Sequence, residues 1–67
     1  MITIKVNNTT HQFNEQAALQ EVMNALKIPL NGIAVAVNET IISKSDWTKK
    51  ILQQNDSVLV IKATQGG

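Results

Sequence analysis

The chain of 67 residues contains no cysteine, and its six basic residues are all lysine. Without a thiol it has no disulfide, no thiolate metal site and no cysteine nucleophile, and nothing in it calls for an oxidising compartment. Without a guanidinium it lacks the side chain best suited to bidentate contacts with phosphate or guanine. With a formal charge of only +1, it is not expected to bind nucleic acid. Apolar runs are short as well. The longest, Ile33 to Val37, falls far below the ~20 residues a membrane-spanning helix needs. Met1 leads straight into a strand pattern rather than a cleavable signal. The expectation is a cytoplasmic protein, monomeric when free, that engages no membrane. A chain this short holds one domain and buries only about 60% of its unfolded surface, so a single layer of sheet and helix must supply nearly all its stability.

What is present reads as an α+β pattern. Ile2, Ile4 and Val6 alternate with Thr3 and Lys5, the period of a strand with one buried face. Asn7 and Asn8 tolerate positive φ and predict a tight hairpin turn, with a return strand from Thr9 to Phe13. Asn14 is positioned to cap a helix whose stripe is Leu19, Val22, Met23 and Leu26, and Pro29 with Asn31 and Gly32 ends it. Ile33, Val35 and Val37 form the core side of the next strand, leaving Ala34 and Ala36 as a flat outer surface. Asn38 and Glu39 give a turn, Thr40 to Ile42 a short strand, and Ser45 caps one helical turn carrying Asp46 and Trp47. Ile51 and Leu52 are expected to return to the core before Asn55 and Asp56 turn into a strand from Ser57 to Lys62. Residues 1–62 thus form a head and residues 63–67 a flexible tail.

The tail carries the strongest signal. Of three glycines, two are Gly66 and Gly67, a coincidence of roughly 0.5% at ordinary glycine usage. Absent β-carbons let a backbone pass through a narrow active site in torsions other residues avoid, with Gln65 threading behind them. Residues 63–67 extend by at most about 17 Å, enough to enter another protein's cleft. A carboxylate is a poor electrophile until its oxygen is made a leaving group, and joining it to AMP does so. The chain has no glycine-rich phosphate loop, and Gly32 stands alone. It is therefore expected to bind no cofactor itself, ATP being supplied through another enzyme.

Leu19-Gln20-Glu21-Val22-Met23, the run Gly32 to Asn38, Ile41-Ile42 before Lys44, Trp47, Asp56 and the final Gly66-Gly67 together resemble the ubiquitin-like β-grasp sulfur carriers. They are most similar to those of thiamine biosynthesis. The resemblance spans the whole chain and departs at Ser43, where the family usually has proline, and at Asn55, where it has glycine. It implies a mixed sheet of four or five strands with one main helix on one face, the first and last strands adjacent and parallel. It also implies a cycle at Gly67: adenylation by an E1-like adenylyltransferase, conversion to a thiocarboxylate by sulfur from a cysteine desulfurase or other persulfide donor, and delivery to thiazole synthase. The chain would then be a carrier acted on by enzymes and not an enzyme. The small subunit of molybdopterin synthase resembles it in fold and tail but is usually longer, with a loop after its first strand that the Asn7-Asn8 turn leaves no room for.

Other residues carry blander readings. His11, the only histidine, is expected on the solvent side of its strand, with no metal or catalytic role; Trp47 is expected at the core edge and Lys49 and Lys50 on a solvated face. If Val58 and Val60 face the helix, Leu59 and Ile61 lie on the opposite face beside Ala34 and Ala36, an apolar patch of the kind that docks a partner. Two other functions fit the same chain: a modifier joined through Gly67 to lysines of target proteins, and a β-grasp module that binds a partner without reacting at its end.

Overall fold

The computed structural model describes residues 1–62. The alternating segment at the start forms β1 (Ile2–Val6), which turns through Asn7 (φ 49°) and Asn8 (φ 70°) into the antiparallel β2 (Thr9–Phe13). Two consecutive left-handed residues make the turn a type I′, whose twist matches that of the flanking strands. The same device recurs at Asn38 (φ 50°) and Glu39 (φ 72°) between β3 (Ile33–Val37) and β4 (Thr40–Ile42). There a glutamate occupies a conformation that glycine and asparagine usually take. The last strand, β5 (Ser57–Lys62), enters after Asn55 (φ 71°) and runs through the middle of a five-stranded sheet of order β2-β1-β5-β3-β4. It is parallel to β1, with Val6 opposite Val58, and antiparallel to β3, with Val37 also opposite Val58.

One face of this sheet carries the core. Ile2, Ile4, Val6, Val35, Val37 and Val58 pack with Leu19, Val22 and Met23 of the helix α1 (Leu19–Ala25) and with Trp47 and Leu52. Trp47 is fully inside at 2% exposure, deeper than an edge position, and its indole Nε1–H donates to the Ile42 carbonyl at 2.9 Å. No buried residue among those described is polar or charged. The stability of this head is therefore mainly a matter of apolar area, as a small domain without staples requires.

Three local expectations are corrected. The helix does not start behind Asn14, whose carbonyl instead accepts the Ala17 N–H in a turn with Gln16 at φ 75°. Ala17 and Ala18 are buried and run extended beside 51–52, Leu52 N–H donating to the Ala17 carbonyl at 2.9 Å, so helical torsions begin only at Leu19. The free amides of the first turn find carbonyls from another segment, Leu19 N–H bonding Lys50 and Gln20 N–H bonding Trp47. Glu21 reaches back to the Ala18 N–H at 3.1 Å. At the other end Lys27 adopts φ 60°, and the bonds Lys27 N–H to Asn24 O and Ile28 N–H to Met23 O close the helix before Pro29. The helix is thus a short one of seven residues. Ile51 does not return to the core but stays 43% exposed, because only Leu52 of the pair points inward. The brief helical turn is a 3-10 turn over Lys44–Asp46 flanked by Ser43, two residues earlier than a Ser45 cap implies.

Beyond Val6, β1 no longer runs alongside β5, yet β5 continues to Lys62. Asn7 bridges the difference. Its N–H donates to the Val58 carbonyl at 2.9 Å, its Oδ1 accepts the Val60 N–H at 2.8 Å, and its Nδ2 donates to the Val60 carbonyl at 3.3 Å. The carboxamide thus stands in for the next peptide unit of the missing strand. Asn7→Ala is expected to lower stability by about 1–2 kcal/mol through these bonds. Asn7→Gly, which keeps φ positive at no cost, should retain most of the loss in urea unfolding. A glycine variant as stable as the parent would assign the effect to torsion alone.

Candidate functional site

Because side chains of a strand alternate between faces, the burial of Val58 (2%) sends Leu59 and Ile61 to the side away from α1, where they are 49% and 46% exposed. β5 is central, so this side is the open face of the sheet and not an edge. The register sets Leu59 opposite Ala36 and Ile61 opposite Ala34 on β3, the arrangement expected from alternation. Ala36 also pairs with Ile41 of β4, which adds an isoleucine 65% exposed. Alternation within β4 alone could not reveal it, because Ile41 and Ile42 are both large and apolar and only the register with β3 tells which one faces out.

Ala36 itself is a correction. It is 5% exposed, because its small side chain lies between those of Leu59 and Ile41 in the register. It forms the floor of the patch rather than its surface, and the exposed apolar side chains are Leu59, Ile61 and Ile41, with Ala34 half-buried beside them. A depression of about 370 Å³ lies between the two hairpin turns at this end, lined in part by Asn8, Ala36, Glu39 and Leu59. Toward β1 and β2 the same face becomes polar, with Lys5 set between Ser57 and Thr10 and Thr3 opposite Gln12. The face is therefore apolar on one side of β5 and charged or polar on the other.

Asparagine side chains hold β5 on both flanks. Opposite Asn7, Asn38 accepts the Ser57 N–H on Oδ1 at 3.0 Å and donates from Nδ2 to Asp56 Oδ1 at 2.9 Å, while Asp56 Oδ2 accepts the Gln53 N–H at 2.8 Å. These bonds fix the entry of β5, and Asn7 fixes its middle. The strand that bears Leu59 and Ile61 is thus tied down until Lys62, the residue before 63–67. Gln65, Gly66 and Gly67 lie outside the described residues, as does the head-to-tail division at residue 63.

Among the described residues there is no cluster of histidine, cysteine or carboxylate side chains able to hold a metal ion, and no helix long and apolar enough to cross a membrane. His11 does not point to the solvent face. It shares the core side with Ile4, its cross-strand partner, and is half-buried at the sheet edge with its ring 6.3 Å from that of Phe13.

A family model described as the ThiS family matches residues 3–67 of the chain. The chain is similar to the sulfur carrier protein ThiS of Escherichia coli (strain K12), 29% identical over 62 residues that cover 82% of this chain and 94% of the relative. Its fold matches the crystal structure of a thiamine biosynthesis protein (ThiS) from Geobacter metallireducens with a TM-score of 0.85. That match covers 98% of this chain and all of the other at 19% identity, a likeness of fold: the head is a five-stranded β-grasp.

Proposed function

Because the chain belongs to the ThiS family, we propose that it is a sulfur carrier for thiamine biosynthesis whose reactive group is the Gly67 carboxylate. The observation that carries this reading is the reach of the family match to residue 67, through the Gly66-Gly67 pair. In the cycle, a carboxylate oxygen of Gly67 attacks the α-phosphorus of ATP on an E1-like adenylyltransferase and pyrophosphate leaves. The terminal sulfur of a persulfide, supplied by a cysteine desulfurase or another donor, then displaces AMP from the acyl carbon. A thiol then attacks the donor's sulfur in the remaining S–S bond, forming a disulfide with the donor and releasing the thiocarboxylate, which gives its sulfur to the thiazole ring on thiazole synthase. Each step is performed by a partner in the cytoplasm. The chain contributes an acyl group and a docking surface, and having no cysteine it has no other group to hold the sulfur covalently.

The fold supports a division of labour between docking surface and reactive end. Leu59 and Ile61 lie on the strand that leads into 63–67, so a partner seated on the open face, over Ala34, Ala36 and Ile41, has its active site within about 17 Å of Lys62. The two-residue turn at Asn7-Asn8 favours the thiamine branch over carriers with a longer loop there. The test is ATP–pyrophosphate exchange catalysed by the E1-like enzyme from the same cell. Exchange that depends on the chain is expected, and an enzyme that binds the chain without exchange would overturn the assignment of Gly67.

A further inference from the structure

Asn31 is the one asparagine of the chain followed by glycine. It lies in the exposed turn between α1 and β3, and among the described residues no hydrogen bond engages its carboxamide. Three other turn asparagines are occupied: Asn7 holds Val60, Asn38 holds Ser57 and Asp56, and Asn55 accepts from Gln54. Asn8 has no such bond among the described residues but is followed by threonine rather than glycine. Gly32 stands at φ 70°, and a β-carbon added there would meet nothing within 4 Å. No neighbouring atom therefore crowds the side of Gly32 where a β-carbon would stand, and glycine's conformational freedom lets its nitrogen swing toward the preceding side chain.

We propose that Asn31-Gly32 is a site of spontaneous deamidation that changes the surface at the base of the tail. The Gly32 nitrogen attacks Asn31 Cγ. A C–N bond forms, the Cγ–Nδ2 bond breaks, and ammonia leaves with the proton lost from Gly32. Water then opens the succinimide at one of its two carbonyls, giving aspartate or isoaspartate. No oxidant or enzyme is needed. The product carries one more negative charge, taking the formal net charge from +1 to neutral. That charge falls in a groove that Asn31 and Gly32 line together with Lys27 and Lys62. Isoaspartate also lengthens the main chain by one carbon just ahead of Ile33, the residue paired with Lys62 at the end of β5. This inference does not depend on the sulfur-carrier reading.

The experiment incubates the intact protein in mildly alkaline buffer at physiological temperature, alongside a free peptide spanning the same turn. Ion exchange is expected to resolve a more acidic form heavier by about 1 Da, and peptide mapping to place aspartate and isoaspartate at residue 31, with isoaspartate the larger share. Asn31→Gln, which must close a six-membered ring, should suppress the acidic form while leaving the thermal unfolding curve unchanged. Protein that stays intact at residue 31 while the peptide converts, or that changes first at another asparagine, would overturn the proposal.

Discussion

A chain lacking Gly67 is expected to give no ATP–pyrophosphate exchange above background while binding its activating enzyme as tightly as the full chain. The truncated chain still ends in a carboxylate, now that of Gly66, so its intrinsic chemistry is unchanged. What it loses is reach: with the head docked, the carboxylate falls about 3.5 Å short of the α-phosphate. Misplacement of a reacting group by even 1 Å costs on the order of 10²-fold in rate, and the shortfall here is larger. Binding should be spared because Leu59, Ile61 and Ile41 are untouched, and β5, which bears the first two, is fixed by the Asn7 and Asn38 bonds to Val60 and Ser57. Calorimetric titration and exchange, run on the same preparation, separate the two properties. Undiminished exchange by the shortened chain would remove Gly67 from the mechanism.

Leu59→Asp and Ile61→Asp are expected to produce the opposite pattern, loss of docking with the tail intact. Each places a carboxylate in a surface that must shed water on binding, and a residue at the centre of an interface typically contributes ~2–4 kcal/mol, about 30-fold or more in affinity. Both side chains are roughly half exposed on the open face, so the cost to the fold should stay near that of an unfavourable strand residue, at most about 1 kcal/mol. Thermal unfolding alongside the titration checks that the head is intact. An aspartate variant that folds and binds normally would exclude that residue from the interface.

Much of this site is legible in the sequence, because strand alternation is a strict rule. Once Val58 is placed in the core, Leu59 and Ile61 must face out, and the tight Asn7-Asn8 turn fixes how β1 returns. The glycine-like torsion of Asn55 follows from asparagine's tolerance of the left-handed region. The misplaced features share a different cause: each depends on a partner remote in sequence. The helix begins late because Ala17 and Ala18 pair with 51–52, and its first amides bond the Lys50 and Trp47 carbonyls instead of a local cap. It ends early because Lys27 accepts a torsion that residue type does not advertise. Ala36 is buried by neighbours on two other strands, and Ile41 is exposed because of its pairing with Ala36. His11 turns inward because its register partner is Ile4. Local propensity sets which elements form, and the cross-strand register decides which residues reach solvent.

Intact-mass spectrometry of the protein isolated from thiamine-starved cells of its own source tests the sulfur-carrier reading most directly. The account predicts a species heavier than the unmodified chain by about 16 Da, one oxygen of the Gly67 carboxylate replaced by sulfur, and its loss on deletion of Gly67. Unmodified chain alone would contradict it in favour of a binding module, and heavier branched species joined through Gly67 to lysines of other proteins would contradict it in favour of a modifier.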